Sequence, residues 1–285
     1  MIPQYITSDI LEKTVKEAIR EDLGEGDHST LAVIPDAESG KARLLAKENG
    51  IIAGLALAEF IYEKFSADII VDFHFEDGAP IKRGDIIFEV RGKARDILSS
   101  ERLILNFVQR MSGIATHTRK LVDIIGDLPV GLLDTRKTTP NLRLFEKWAV
   151  MIGGGSNHRI GLFDMIMLKD NHIDLAGGIK KAIERTQTYL EKTGKSLKVE
   201  IEVRNLREVQ EVLDAGHVDI IMLDNMSLED MKAAVKLIGG KYTTEASGNV
   251  NENTIRAIAE SGVNYISVGS LTHSVKSLDL SLLTI

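Results

Sequence analysis

The chain has no cysteine among its 285 residues, which excludes disulfides and thiolate chemistry. It has no apolar run near the roughly 20 residues that a membrane helix needs. Its first stretch, MIPQYITSDILEKTVKEAIREDL, has neither a basic n-region nor a signal-type apolar core, so a cytoplasmic protein is expected. It has no excess of positive charge: the net charge is −7, which argues against a nucleic-acid partner. No GxGxxG opens a helix after a strand, and no two histidines stand at i, i+4. A dinucleotide fingerprint and a catalytic zinc site are therefore not indicated.

What is present is ordinary for a globular protein, with 44% apolar and 27% charged residues. Ser8-Asp9 can cap a helix whose apolar Ile10, Leu11, Val15 and Ile19 recur at helical spacing. GEGDHST reads as a turn-rich loop. From Leu31 the texture is β-like, alternating and broken at Gly and Pro, with a short helix at LAEFIYEKF. The stretch resembles swivelling sandwich modules, without the hairpin lysine of a biotinyl or lipoyl carrier. SSERLILNFVQRMSGIATHTRK reads as one or two helices, with Arg102, Asn106 and Arg110 on one polar face. Beyond it a strand-then-helix rhythm sets in. Candidate strands are Val130–Leu133, Ala149–Ile152, Met165–Leu168, Val199–Val203, Ile220–Leu223, Tyr242–Glu245 and Tyr265–Val268.

Seven strands in about 140 residues fall short of the eight strands and about 250 residues of a full barrel. The expected fold is α/β: an N-terminal α/β sandwich domain, then an incomplete seven-stranded parallel α/β barrel. An open doubly wound sheet is the alternative. The expected boundaries are 1–112 for the first domain with its linking helix, 113–270 for the barrel, and 271–285 for a segment returning to the first domain.

The stretch from Asp134 to His172 stands out. It carries six Lys or Arg against four acids, a cationic island in an acidic chain, which points to a small anionic ligand. Three apolar runs end in cations, glycines or amides: DTRKT, GGGSNHR and KDNH. In a parallel α/β barrel, polar groups just past the strand ends line the site. Glu202 ends VEIEV, with Glu200 on the same strand face, and Asp224 ends IIMLDN. Such a carboxylate pair can hold ribose hydroxyls or Mg²⁺. Ser247-Gly248 and Gly269-Ser270 end the last two strands and free backbone N–H groups for a phosphate. Trp148 and the methionine-rich strands read as core. The residues describe a site for a phosphorylated ribose and a small acidic partner.

At DTRKTTP, GGGSNHRIGLFDMIMLKDNH, EIEV, LDN and SVGSLTHS the chain resembles the quinolinate phosphoribosyltransferases, and the likeness extends through SSERLILNFVQRMSGIAT. The resemblance implies a sandwich domain followed by a seven-stranded barrel. It also implies a homodimer, or a higher oligomer built from it, in which each site is completed by the partner's N-terminal domain. Arg136, His158, Arg159 and Lys169 would bind the two carboxylates of quinolinate, and Arg102 would reach them from the neighbouring subunit. Lys137 and Lys169 would face the pyrophosphate of phosphoribosyl pyrophosphate. Glu202 and Asp224 would hold the ribose hydroxyls and, through them or water, Mg²⁺. Ser247, Gly248, Gly269 and His273 would line the 5′-phosphate site. Asn141 and Asn249 stand where the family commonly has glycine. Asparagine is the next-best residue for a left-handed backbone, so both loops are expected to keep their shape.

The implied reaction gives nicotinate mononucleotide, pyrophosphate and CO₂. Two other enzymes are weighed against it: a phosphoribosyltransferase that takes nicotinate without decarboxylation, and a barrel aldolase with Lys137 or Lys169 as Schiff-base lysine. A non-enzymatic carrier built on the sandwich would leave the polar strand ends unexplained.

Overall fold

A computed structural model describes residues 2–285. In chain order the elements begin with α1 (Ser8–Leu23), α2 (His28–Val33), β1 (Ser39–Ala46), β2 (Gly50–Ile51) and α3 (Leu55–Phe65). Then come β3 (Ile70–Phe73), β4 (Pro80–Ile81), β5 (Ile86–Lys93), α4 (Ala94–Ile125), β6 (Gly131–Leu133) and α5 (Arg143–Ile152). The rhythm continues with β7 (Ile166–Leu168), α6 (Asp170–Ala176), α7 (Ile179–Thr193), β8 (Val199–Val203), α8 (Leu206–Ala215) and β9 (Ile220–Asp224). It closes with α9 (Leu228–Ile238), β10 (Thr243–Ser247), α10 (Ile255–Ala259), β11 (Tyr265–Ser267), α11 (Ser270–His273) and β12 (Leu280–Thr284). Among the described residues, no helix is long and apolar enough to cross a membrane.

The chain divides into two compact units. The first runs up to Arg119 and takes in Thr139–Gly154 and Ser274–Ile285 as well. Its sheet is antiparallel, in the order β12-β1-β5-β3, beside the small pair β2-β4. Alternation along β1 buries Ala42, Leu44 and Ala46 on one face. On α1, Leu11 and Val15 are buried four apart, and the Ile10 N–H donates to the Thr7 hydroxyl at 3.3 Å, so the cap lies one residue before the expected Ser8. Where the sequence reads as a loop, Asp27 accepts the Thr30 N–H at 3.0 Å and starts α2 at His28. SSERLILNFVQRMSGIATHTRK belongs to one continuous helix, α4. The C-terminal segment runs back along it: the Leu278 N–H donates to the Gln109 carbonyl at 3.0 Å, and the Gln109 amide donates to the Leu280 carbonyl at 2.8 Å.

The second unit comprises Lys120–Thr138 and Gly155–His273. It holds a six-stranded parallel sheet in the order β6-β11-β10-β9-β8-β7, with helices between successive strands. The seventh strand expected at Ala149–Ile152 is the end of α5, and that helix belongs to the first unit. A four-residue apolar run has no period of its own. Residues 145–150 are all buried, so burial shows no period either, and the helix is marked by its i to i+4 hydrogen bonds, the Glu146 N–H donating to the Leu142 carbonyl and the Gly153 N–H to the Ala149 carbonyl, both at 3.0 Å. In place of the seventh strand, a single bridge joins Leu133 to Ser156. No closed barrel forms; β6 and β7 are the edges of the sheet. Gly177 and Gly178, with φ values of 87° and 112°, end α6 and precede α7. Asn141 and Asn249 both adopt left-handed backbone, with φ of 65° and 53°, as expected of residues standing in for glycine.

Gly113 on α4 is where the returning segment comes closest. A Cβ there would lie 2.3 Å from the Lys276 carbonyl oxygen and 3.1 Å from Ser277 Cα. Alanine in a helix interior normally gains about 1 kcal/mol over glycine, but overlap with backbone cannot be relieved by a rotamer change. Gly113→Ala is therefore expected to destabilise by about 1–2 kcal/mol net. A lowered urea midpoint checks this; an unchanged or raised midpoint contradicts it.

Candidate active site

Because the six strands of the second unit are parallel, their C-terminal ends lie at one edge, and the polar residues after them converge there. They surround a cavity of about 750 Å³. Thr135, Arg136 and Lys137 come from the end of β6, and His158 and Arg159 from the loop after the Ser156 bridge. Lys169 comes from β7, Glu202 from β8, and Asp224 and Asn225 from β9. Ser247 ends β10, Gly248 and Asn249 follow it, and Gly269, Ser270 and His273 follow β11. Met167 and Met222 supply apolar surface between the charged groups.

The cationic side is held by its neighbours. Asp134 is fully buried at the end of β6 and accepts the Asn157 amide at 2.7 Å and the His158 N–H at 2.9 Å. That fixes the loop leading to Arg159. Asp164 accepts the Ile160 and Gly161 N–H groups at 2.7 and 2.9 Å and folds the loop behind it. The Arg159 guanidinium donates to the Met165 carbonyl at 3.2 Å and to Met167 Sδ at 3.5 Å. Burial, and then the neighbouring Arg136 guanidinium, hold the pKa of Arg159 below its ordinary value. Two like charges kept this close favour an anion between them. Lys169 makes an ion pair with Glu202. At the tip of β11, a Cβ on Gly269 would come 3.0 Å from Lys137 Cδ and 3.1 Å from His273 Cδ2, so its lack of a side chain lets both approach.

At the cavity floor His158 and Glu245, which line it, meet the deeper Glu200 in a cluster that no single stretch of sequence contains. His158 Nε2 is 2.9 Å from Glu200 Oε2 and 3.4 Å from Glu245 Oε2, and both glutamates are fully buried. Burial alone would lower the imidazole, but the two carboxylates outweigh it and raise His158 to about 9. Burial likewise pushes Glu200 up. Nδ1 accepts the Arg159 N–H at 2.7 Å, so the retained proton is shared on the Nε2 side, among the ring and the two carboxylates. The three groups could ligate a metal, their ligand atoms lying within 4.8 Å of one another. They are already engaged with one another at the cavity floor, while Glu202 and Asp224 line the same cavity from adjacent strand ends.

Every residue expected in the site from the sequence lines this one cavity, except Arg102, which lies exposed on α4 in the first unit. Arg143 and Lys147 of the cationic stretch fall on α5, also in the first unit. Arg110 is held by the buried Glu146, at 2.8 Å from the nearer guanidinium nitrogen. The sequence reading missed Glu200, Glu245, Met167 and Met222. The signal for the glutamates was a carboxylate inside an otherwise buried strand, in VEIEV and TTEAS.

Known proteins resemble the chain along nearly its whole length. Residues 27–112 match the family described as quinolinate phosphoribosyl transferase, N-terminal domain, and residues 114–283 match its C-terminal domain. The mitochondrial quinolinate phosphoribosyltransferase (decarboxylating) 2b of Nicotiana tabacum is 47% identical over 295 residues, covering 98% of this chain and 83% of that one. The chloroplastic nicotinate-nucleotide pyrophosphorylase (carboxylating) of Arabidopsis thaliana is also 47% identical, covering 98% and 84%. The crystal structure of NadC from Streptococcus pyogenes superposes with a TM-score of 0.92 at 44% identity, covering 98% of each chain.

The buried cluster has a consequence for pH. The folded state keeps protons that the unfolded chain releases, since His158 and Glu200 are both raised. The contribution of His158 to stability is thus complete below its unfolded value near 6.5 and is lost as pH rises through about 9. The urea midpoint is expected to fall across that interval, and less steeply in Glu200→Gln, which removes one of the charges that raise His158. A midpoint flat or rising from pH 6.5 to 9 would contradict this.

Proposed function

The chain belongs to the quinolinate phosphoribosyltransferase family, and from that premise we propose how its residues carry out the reaction. The enzyme is a decarboxylating phosphoribosyltransferase of NAD synthesis. It joins quinolinate to phosphoribosyl pyrophosphate and yields nicotinate mononucleotide, pyrophosphate and CO₂. One observation carries the division of roles. In a single cavity the cations come from the ends of β6 and β7 and the loop at Ser156, the carboxylates at the rim from β8 and β9 with Glu245 of β10 below them, and the small residues from the ends of β10 and β11.

Arg136 and Arg159 bind the two carboxylates of quinolinate, with Lys169 beside them. Their mutual repulsion is relieved when the dianion enters. His158, which the resemblance groups with them, has its ring nitrogens turned to the Arg159 N–H and to the two glutamates. It acts by setting Arg159, whose backbone N–H its Nδ1 accepts. Met167 and Met222 offer apolar surface to the pyridine ring. Lys137 and Lys169 face the pyrophosphate, Glu202 and Asp224 hold the ribose hydroxyls, and Ser247, Gly248, Gly269 and His273 receive the 5′-phosphate. Glu202 and Asp224 offer oxygen donors on adjacent strand tips, which suits Mg²⁺, an ion that takes oxygen ligands and retains water. When bound, Mg²⁺ supplies positive charge to the departing pyrophosphate.

The chemistry needs no side-chain nucleophile. The pyridine nitrogen attacks the anomeric carbon while pyrophosphate leaves, and the residues position both partners and stabilise the leaving oxygens. The ring nitrogen becomes cationic. The adjacent carboxylate then departs as CO₂, leaving its electron pair on the ring carbon, which takes up a proton. The relatives are phosphoribosyltransferases, which leaves an aldolase without support, and of its two candidate lysines Lys169 is engaged by Glu202 in an ion pair. A homodimer in which Arg102 serves the partner's site belongs to the same proposal, as does a cytoplasmic location.

Incubation with quinolinate, phosphoribosyl pyrophosphate and Mg²⁺ should release CO₂ and nicotinate mononucleotide. Nicotinate lacks one carboxylate and so one charge-assisted hydrogen bond, worth about 1.5–3 kcal/mol. It should bind roughly tenfold to a hundredfold more weakly than quinolinate by titration calorimetry. Equal affinities would remove the dicarboxylate assignment.

The shared site makes a separate demand. Arg102→Ala and Lys137→Ala homodimers should each be nearly inactive. In a mixed dimer one site carries both defects and the other neither, so subunit exchange should restore up to about half of one dimer's activity. Verified heterodimers that stay inactive would show that Arg102 has no part in a partner's site.

A further inference from the structure

We propose that Asn225 and Asn249 are positioning residues that tie the loop after β10 to the Asp224 carboxylate. They would hold the sugar and phosphate ends of the phosphoribosyl group at a set spacing. The proposal rests on the assignment of Asp224 to the ribose and of Ser247-Gly248 to the 5′-phosphate.

The two asparagines stand at the tips of adjacent strands, and both have left-handed backbone, with φ of 53°. A side chain in that region is unfavourable, and glycine would fill either position without strain. Their amides are put to use. The Asn249 amide donates to Asn225 Oδ1 at 3.1 Å, and the Asn225 amide donates to Asp224 Oδ2 at 2.9 Å. Each group therefore donates onward, and the chain ends on the carboxylate. Asn251 steadies its start by donating to the Asn249 carbonyl at 3.3 Å.

The backbone is joined at the same place. The Asn225 N–H donates to the Ser247 carbonyl at 2.9 Å, carrying the β9–β10 register one step past Ser247 opposite Asp224. Gly248 sits directly under this link. A Cβ there would lie 2.1 Å from Asn225 Oδ1, so the Asn225 amide occupies the space that any side chain at 248 would need. The shape of the phosphate loop and the orientation of the carboxylate are thus set by one side chain. With Oδ2 engaged by the amide, Asp224 turns its other oxygen to the sugar.

Asn225→Gly and Asn249→Gly keep the backbone conformation and delete only the amides. Two readouts separate positioning from general support. One is the affinity for ribose 5-phosphate, measured by titration calorimetry in metal-free buffer. The other is the KM for each substrate. Each variant should bind ribose 5-phosphate roughly three- to tenfold more weakly. Each should raise the KM for phosphoribosyl pyrophosphate by a similar factor and leave the KM for quinolinate unchanged. The double variant should be no weaker than Asn225→Gly alone, because both amides act through one chain.

Asp224→Ala separates the proposal from its premise. If Asp224→Ala weakens ribose 5-phosphate binding while both glycine variants bind like the parent, the positioning role is overturned and the assignment of Asp224 stands. If Asp224→Ala also binds like the parent, both fail. Equal rises in KM for the two substrates would mark a loss of general support and overturn the proposal.

Discussion

Two guanidinium groups in one partly buried cavity repel, and much of the second unit is arranged so that they stay there. Arg159 pays for its place in burial and in the proximity of Arg136. It is kept charged and in position by Glu200, Asp164 and Glu202 around it and by the Met165 carbonyl it donates to. Those acids come from one strand of a parallel sheet, β8, and from the loop before its neighbour β7. Antiparallel strands would have sent half of the groups to the opposite edge. The site is thus a balance of charges that is satisfied among protein groups on one side and left unsatisfied toward the ligand on the other.

The backbone does comparable work where side chains would obstruct. Gly269 admits Lys137 and His273 side by side, and Gly248 admits the Asn225 amide. The loop through Asn157, His158 and Arg159 is held from the buried Asp134 by two short hydrogen bonds, which makes the position of Arg159 a property of β6 as much as of its own loop. A carboxylate without exposure must be fully engaged to be tolerated. Engagement of that kind is what turns a glycine-rich segment into a rigid support.

Burial also separates two kinds of acid along one strand. Glu200 and Glu202 share a strand face, yet Glu200 lies deep with His158 and Glu245 while Glu202 reaches the open cavity and pairs with Lys169. A two-residue step along the strand is enough to move a carboxylate from a buried cluster to the cavity wall, where it pairs with a lysine.

The sequence by itself determined the strand-then-helix rhythm and the polar strand ends at Arg136, Lys169, Glu202, Asp224, Ser247 and Gly269. Both are written in local pattern: apolar runs of strand length followed at once by charge, amide or glycine. The family resemblance rested on the same segments. The seventh strand at Ala149–Ile152 was misread because four apolar residues satisfy either period. In the fold the whole run 145–150 is buried on every side, so no one-sided apolar stripe marked it as a helix. The tertiary structure alone decided that Arg143 and Lys147 leave the cationic stretch for the other unit, and that His158 meets Glu200 and Glu245 across three separate segments. It alone joined Asn225 to Asn249. Such pairings depend on strand order and register, and these are set by which surfaces pack together over the whole sheet; no window of the chain contains them.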